Sequence, residues 1–76
     1  MAKGYRFDDT PPLKGAKISV FETLSSLEKF LKDMPNGGKL PGHKIYEISG
    51  EWHRGTSEHP DGFTIIVESV STIRNI

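Results

Sequence analysis

Apolar side chains recur at three- and four-residue steps in one part of the chain. Leu24, Leu27 and Leu31 fall on one face of a helix of 3.6 residues per turn, and Phe30 widens that face. The pattern predicts an amphipathic helix over residues 23–34, with its apolar face toward a core.

Both ends of this helix carry recognisable signals. Thr23 and the capping-box segment at residues 25–28 are alternative N-terminal caps, because either places a side-chain oxygen near the free amides of the first turn. Pro35 and the glycines at residues 37–38 end the helix, since proline restricts the residue before it and glycine accepts left-handed geometry.

Two-residue alternation predicts β-strands on both sides of the helix. Residues 17–21 lead almost directly into it, and residues 5–7 are a short edge strand or a loose arm. Downstream, residues 43–54 and 63–74 are separated by a turn signal, His59-Pro60-Asp61-Gly62. These last two strands are predicted to form an antiparallel hairpin.

The predicted register of this hairpin matches apolar residues on the face that is expected to pack against the helix. The pairs are Trp52 with Phe63, Ile48 with Val67 and Gly50 with Ile65, with Tyr46 on the same face. On the other face Glu47 falls opposite Glu68, and these two carboxylates repel unless a cation lies between them. The alternation is lost after Val67, which predicts a bulge near Glu68-Ser69 or a break into a short fifth strand.

These elements together predict an α+β fold. One helix is packed on a twisted antiparallel sheet of three to five strands, in the order (β)β-α-β-β. With 76 residues the chain is expected to be a single small domain, with residues 1–16 as an N-terminal arm or edge strand and residues 17–76 as the core. The predicted core comprises Ile18, Val20, Phe21, Leu24, Leu27, Phe30, Leu31, Met34, Tyr46, Ile48, Trp52, Phe63, Ile65 and Val67.

Charge is balanced overall but unevenly distributed along the chain. Ten basic and ten acidic side chains cancel, so the basic excess of proteins that coat nucleic acids is absent. Residues 1–44 hold eight basic and five acidic side chains, a balance of +3, whereas residues 45–76 hold two and five, a balance of −3. The two halves either pack on each other or present a bipolar surface that favours self-association.

Composition also excludes several classes of site. The absence of cysteine excludes disulfides and thiolate metal sites, and the longest apolar run, residues 65–67, is too short for a membrane span or a signal peptide. A cytoplasmic location is therefore expected. The histidines match no established spacing of metal ligands, with His53 and His59 flanking Glu58, so no metal and no cofactor is expected.

A lone helix covers only one face of a sheet, and this geometry leads to the main functional hypothesis. The chain is predicted to be a small, non-catalytic binding or interaction module that uses the open sheet face or an edge strand. Its expected partner is another protein or a second copy of itself in a homodimer. The predicted binding residues are Tyr5, Phe7, Ile45, Glu51, Ile66, Glu68 and Val70.

The alternative hypothesis is a compact, metal-independent ribonuclease acting on RNA. Its catalytic residues are Glu47 with His43 or His53 as base and acid, and Arg54 as the cation for the phosphorane. The segments 40–42 and 46–48 resemble small microbial ribonucleases over these few residues, but the final strand has no histidine, so the family is not assigned. A third hypothesis, an inhibitor or immunity-type partner of a basic protein, follows from the −3 balance of the second half.

Overall fold

The structure is a computed structural model, and it describes residues 2–53 and 62–76. Its elements are β1 (Ala2–Asp8), β2 (Lys17–Phe21), α1 (Leu24–Lys32), a 3-10 turn (Pro35–Gly38), β3 (Lys44–His53) and β4 (Gly62–Asn75). The chain is a small α+β protein with one α-helix among these residues and a four-stranded antiparallel sheet. The element order β-β-α-β-β agrees with the predicted order.

The sheet closes on itself in the order β1-β2-β4-β3, because β1 also pairs with β3. The β1–β3 ladder runs from Ala2↔Gly50 to Asp8↔Lys44. The other side of β1 meets β2 at the pair Tyr5↔Phe21. β1 is therefore flanked on both sides and is not the edge strand that was one of the two predictions for residues 5–7.

The register between β3 and β4 differs from the predicted one by two residues at Trp52, by three at Glu47 and by four at Ile45. Trp52 pairs with Ile65, and Glu47 lies opposite Ser71, so the predicted contact between Glu47 and Glu68 is wrong. β4 is also held by β2, through pairs such as Ile18↔Ile65, and this second ladder cannot be seen in the hairpin sequence alone.

The bulge predicted near Glu68-Ser69 is confirmed. The register shifts between Ser49 and Gly50, where the partners jump from Ser69 to Val67 and leave Glu68 as the extra residue. A second shift between Ile45 and Tyr46 makes Ile73 an extra residue of β4. Bulges of this kind bend a strand and increase its twist, which helps a short sheet to close.

Buried apolar residues form two clusters on opposite faces of the strands. The sheet cluster consists of Val20, Tyr46, Ile48, Ile65 and Val67, and the helix cluster consists of Phe21, Leu27, Leu31 and Ile45. Neighbouring residues in a strand point to opposite faces, so Tyr46 and Ile45 enter different clusters. The prediction that the Tyr46 face of β3 packs against the helix is therefore wrong, because Ile45 is the residue of β3 that is buried with the helical leucines.

The burial of three residues differs from the prediction. Ile45, predicted on the open face, is fully buried, whereas Trp52 and Phe30, predicted in the core, are 62% and 36% exposed. Trp52 is exposed because the ladder with β1 ends at Ala2↔Gly50, so no β1 residue in the described part of the chain pairs beside Trp52.

The helix is shorter than predicted by one or two residues at each end. Thr23 is its N-terminal cap, and the Thr23 Oγ1 accepts a hydrogen bond from the Ser26 backbone N–H at 3.1 Å. Lys29 and Lys32 lie in its last turn, where the helix dipole favours positive charge. Among the described residues, no helix has the length and apolar character needed to cross a membrane.

Candidate functional site

The described candidate ribonuclease residues are His43, Glu47 and His53, and they lie on β3 or directly before it. His43 immediately precedes β3, Glu47 lies near its middle and His53 ends it. At about 3.3 Å per residue, His43 and His53 are about 33 Å apart along the strand. Arg54, the proposed cation, lies outside the described residues, as do the first three residues of the predicted turn at 59–62. The structure does not bring His43 and His53 together.

Glu47 is instead held by β1, its neighbour in the sheet. Its Oε1 lies 3.6 Å from the Lys3 Nζ, and its Oε2 accepts a hydrogen bond of 3.4 Å from the Tyr5 hydroxyl. Lys3 is therefore the cation beside Glu47, and Glu68 does not lie opposite Glu47. These contacts place Tyr5, a predicted binding residue, in a polar contact that helps join β1 to β3.

The other predicted binding residues separate into two groups. Phe7 packs against the helix cluster and Val70 against the sheet cluster, and Ile66 is half-buried in β4. Glu51 and Glu68 are exposed, and with Trp52 and Ala2 they line an open depression of about 630 Å³. Glu51 and Glu68 are the two predicted binding residues that are exposed.

The C-terminal part of β4 is paired on one side only. The ladder with β2 reaches Lys17↔Ile66, and its last hydrogen bonds join Val67 to Ala16 at 2.9 Å and to Gly15 at 2.8 Å. Beyond Val67, β3 is the one strand that pairs with β4 within the described residues. We call residues 68–75 the free edge, and all of them except the half-buried Val70 are exposed.

The sequence explains why the free edge begins where it does. The Ala16 backbone N–H donates to the Leu13 carbonyl oxygen at 3.1 Å, and Gly15 has a φ of 87°, so the chain before β2 turns away from β4 at this point. Glu68 is the bulged residue next to this turn. The free edge contains no lysine or proline. Its charged residues are Glu68 and Arg74, and its bulged residues are Glu68 and Ile73, so these residues limit which strands can pair with it.

A charged pair lies at the junction of β1 and β2. The Arg6 Nη1 donates to the Ser19 carbonyl oxygen at 3.0 Å, and the Arg6 Nε donates to the Asp8 Oδ2 at 3.5 Å. Sequence analysis did not single out this pair. The sequence feature that could have predicted the pair is the two-residue spacing of Arg6 and Asp8, which places both side chains on the same face of a strand.

The carboxyl group of Asp8 is ionised at neutral pH. Burial acts to raise the pKa of Asp8, but hydrogen bonds from Asp9 and from the Thr10 backbone, together with the Arg6 charge, outweigh burial and lower it below 3.8. One of these bonds is 2.8 Å long, from the Asp9 backbone N–H to the Asp8 Oδ1.

Replacing Asp8 with asparagine is expected to change how stability depends on pH. Because the folded-state pKa of Asp8 is lowered, its ionised form stabilises the fold above pH 3.8, and this contribution is lost as the pH falls through the folded-state pKa. Asp8→Asn should therefore be less stable than the wild type at about pH 7, and the difference should shrink at about pH 3. Urea denaturation at both pH values measures this.

The matched control is Glu22→Gln, which removes an exposed carboxylate outside the junction. It should leave the difference from the wild type small at both pH values. A difference between Asp8→Asn and the wild type that stays constant across the acid range would contradict the lowered pKa.

Comparison with known proteins places this chain in no family. No protein-family model matches it, and neither does any curated protein or solved structure. Its function has to be inferred from its own residues.

Proposed function

We propose that this protein is a small, non-catalytic interaction module that binds a second copy of itself along the free edge of β4. The observation that carries the proposal is the one-sided pairing of residues 68–75 together with their exposure. Backbone N–H and C=O groups on such an edge are satisfied when another strand is added to the sheet. Two free edges pairing in antiparallel would give one continuous sheet across a two-fold axis.

Charge complementarity favours a second copy as the occupant. When two free edges pair in antiparallel around Ser71, residues equally distant from Ser71 face each other. Glu68 of one copy then lies opposite Arg74 of the other, and the two-fold axis creates this pair twice. Opposite charges across a strand pair contribute about 0.2–1 kcal/mol each, and like charges in the same place repel.

Apolar contact and a competing ion pair set the expected strength of the dimer. Ile73 is 38% exposed and would face Ser69 of the second copy, so pairing buries some of its side chain. Within one copy, the Arg74 Nη2 already lies 3.1 Å from the Glu28 Oε1 of the helix. Glu28 therefore competes with Glu68 of the second copy for the same guanidinium group.

Charge reversal on the free edge tests this pairing. Glu68→Arg and Arg74→Glu are each expected to weaken self-association about fivefold or more, because each creates two like-charge pairs per dimer. The double variant should restore association toward the wild-type level. Sedimentation equilibrium at rising protein concentration measures the shift from the 8.5 kDa monomer to twice that mass.

Two further variants make the test specific. Glu22→Arg reverses an exposed charge outside β3 and β4 and should leave association unchanged. Glu28→Gln removes the competing partner of Arg74 and should leave association equal or stronger. A wild-type protein that stays monomeric up to about 1 mM, or a double variant as weak as the single ones, would overturn the proposal.

A further inference from the structure

A cavity lies where the C-terminal part of α1, the 3-10 turn and the end of β4 meet. Its volume is about 300 Å³, at the lower end of the range for small-molecule sites. We call it the helix-end pocket, and its lining includes Glu28, Leu31, Lys32, Gly38, Lys39 and Arg74.

Positive charge is concentrated around the helix-end pocket. Three of its lining side chains are cationic, Lys32, Lys39 and Arg74, and Glu28 is anionic, which gives these four a balance of +2. The chain as a whole has a balance of zero. A concave surface that gathers charge of one sign in this way concentrates ligands of the opposite sign, here anions.

The carboxylate of the pocket is already paired. The Glu28 Oε1 accepts a hydrogen bond of 3.1 Å from the Arg74 Nη2, so these two charges offset each other. The Arg74 guanidinium keeps further N–H donors beyond this bond, since it has five. Lys32 and Lys39 are exposed, and neither forms an ion pair within the described part of the chain. The uncompensated charge of the pocket therefore comes from these two ammonium groups.

A glycine holds the second of these lysines beside the helix. A methyl group at Gly38 would collide with the Leu31 carbonyl oxygen and would lie 2.8 Å from the Leu31 carbonyl carbon, and Gly38 has a φ of 74°. The turn therefore packs directly on the end of α1, and Lys39 follows it in the chain. The Leu31 carbonyl oxygen also accepts a hydrogen bond from the Met34 backbone N–H at 3.1 Å, which weakens the negative end of the helix dipole beside the pocket.

We infer that the helix-end pocket binds the phosphate group of a small molecule. Lys32 and Lys39 pair with the phosphate oxygens, and Arg74 donates from the N–H groups that Glu28 does not use. A phosphate group fits this set of donors better than a carboxylate does. It carries close to two negative charges at neutral pH and has three acceptor oxygens, so it can pair with cations from two elements at once.

Titration of ¹⁵N-labelled protein with inorganic phosphate and with pyrophosphate, followed by NMR, tests this inference. Sodium chloride keeps the ionic strength constant, so that general screening does not change during the titration. We expect saturable shifts at the amides of Lys32, Gly38 and Lys39, with a dissociation constant of about 1 mM for phosphate and a lower one for pyrophosphate. Acetate, which has one charge, should bind more weakly than either probe.

The key variants are Lys32→Gln and Lys39→Gln, which remove one exposed charge each and leave the fold intact. Each is expected to weaken phosphate binding about two- to fivefold, the range for one exposed ion pair, and the double variant about tenfold. The matched control is Lys29→Gln, because Lys29 lies in the same last turn of α1 but does not line the pocket. It should leave the affinity for phosphate unchanged.

Three results would overturn the inference. The first is the absence of saturable shifts with phosphate and pyrophosphate up to about 20 mM, well above the expected dissociation constant. The second is acetate binding as tightly as phosphate. The third is an equal loss of affinity in Lys29→Gln and Lys39→Gln, which would show a general effect of charge rather than a site. Neither Lys32 nor Lys39 belongs to the free edge, so this inference and the proposed dimer can fail separately.

Discussion

Replacing Ile45 with alanine is expected to lower the free energy of unfolding by about 2–5 kcal/mol. Ile45 is fully buried and belongs to the helix cluster with Phe21, Leu27 and Leu31. The substitution removes apolar burial and leaves a cavity between the helix and β3, which a small core cannot refill. A domain of this size has only about 5–10 kcal/mol of total stability, so the loss is a large fraction of it.

Urea denaturation followed by circular dichroism measures this loss, and Ile66→Ala is the matched control. Both isoleucines were predicted on the same open sheet face, but Ile66 is only half-buried. The loss in Ile45→Ala should clearly exceed that in Ile66→Ala. If both variants lost the same small amount of unfolding free energy, Ile45 would have to be exposed like Ile66, which would contradict its position in the helix cluster.

The local elements were predictable because their signals lie in contiguous residues. The helix follows from the spacing of Leu24, Leu27 and Leu31 and from the Thr23 cap, and each of these acts within a few residues. The bulge at Glu68 follows from a break in alternation along one strand. Neither prediction needed any knowledge of distant pairing.

The face of β3 that packs with the helix was not predictable in the same way. Alternation divides β3 into two faces, but at Ile45 and Tyr46 both faces are buried, one in each cluster. The reason is the closure of the sheet through the β1–β3 ladder. Its paired residues lie far apart in the sequence, from Asp8↔Lys44 at one end to Ala2↔Gly50 at the other. Pairings of this kind leave no local signal in the sequence.

The candidate sites show the same division between local and distant information. The sequence named Glu68 and Val70 as binding residues and an edge strand as one possible binding surface. It could not place that edge, because the position of the free edge depends on where the β2–β4 ladder ends. The hydrogen bond between the Arg6 side chain of β1 and the Ser19 carbonyl oxygen of β2 was not predicted, because the two strands have to meet beside a single registered pair.

Gly50→Ala is expected to be as destabilising as Ile45→Ala or more so, with a loss of about 3 kcal/mol or a failure to fold. A methyl group at Gly50 would collide with the Ile66 carbonyl oxygen, and it would lie 2.9 Å from the Ile66 carbonyl carbon and 3.1 Å from the Glu68 backbone nitrogen. These are backbone atoms at the bulge of β4, so relief requires moving the β3–β4 ladder itself. A glycine within a strand commonly marks such a close approach.

Gly15→Ala separates this steric effect from the conformational cost of losing a glycine. Gly15 has a φ of 87° and no atom within 4 Å of an added methyl group, so its substitution costs only backbone strain, about 1–2 kcal/mol. Gly50 is not among the glycines with positive φ, so its cost is steric. A loss at Gly50 no larger than at Gly15 would mean that the β4 backbone does not approach β3 here. That result would contradict the close packing of Gly50 against the bulge at Glu68.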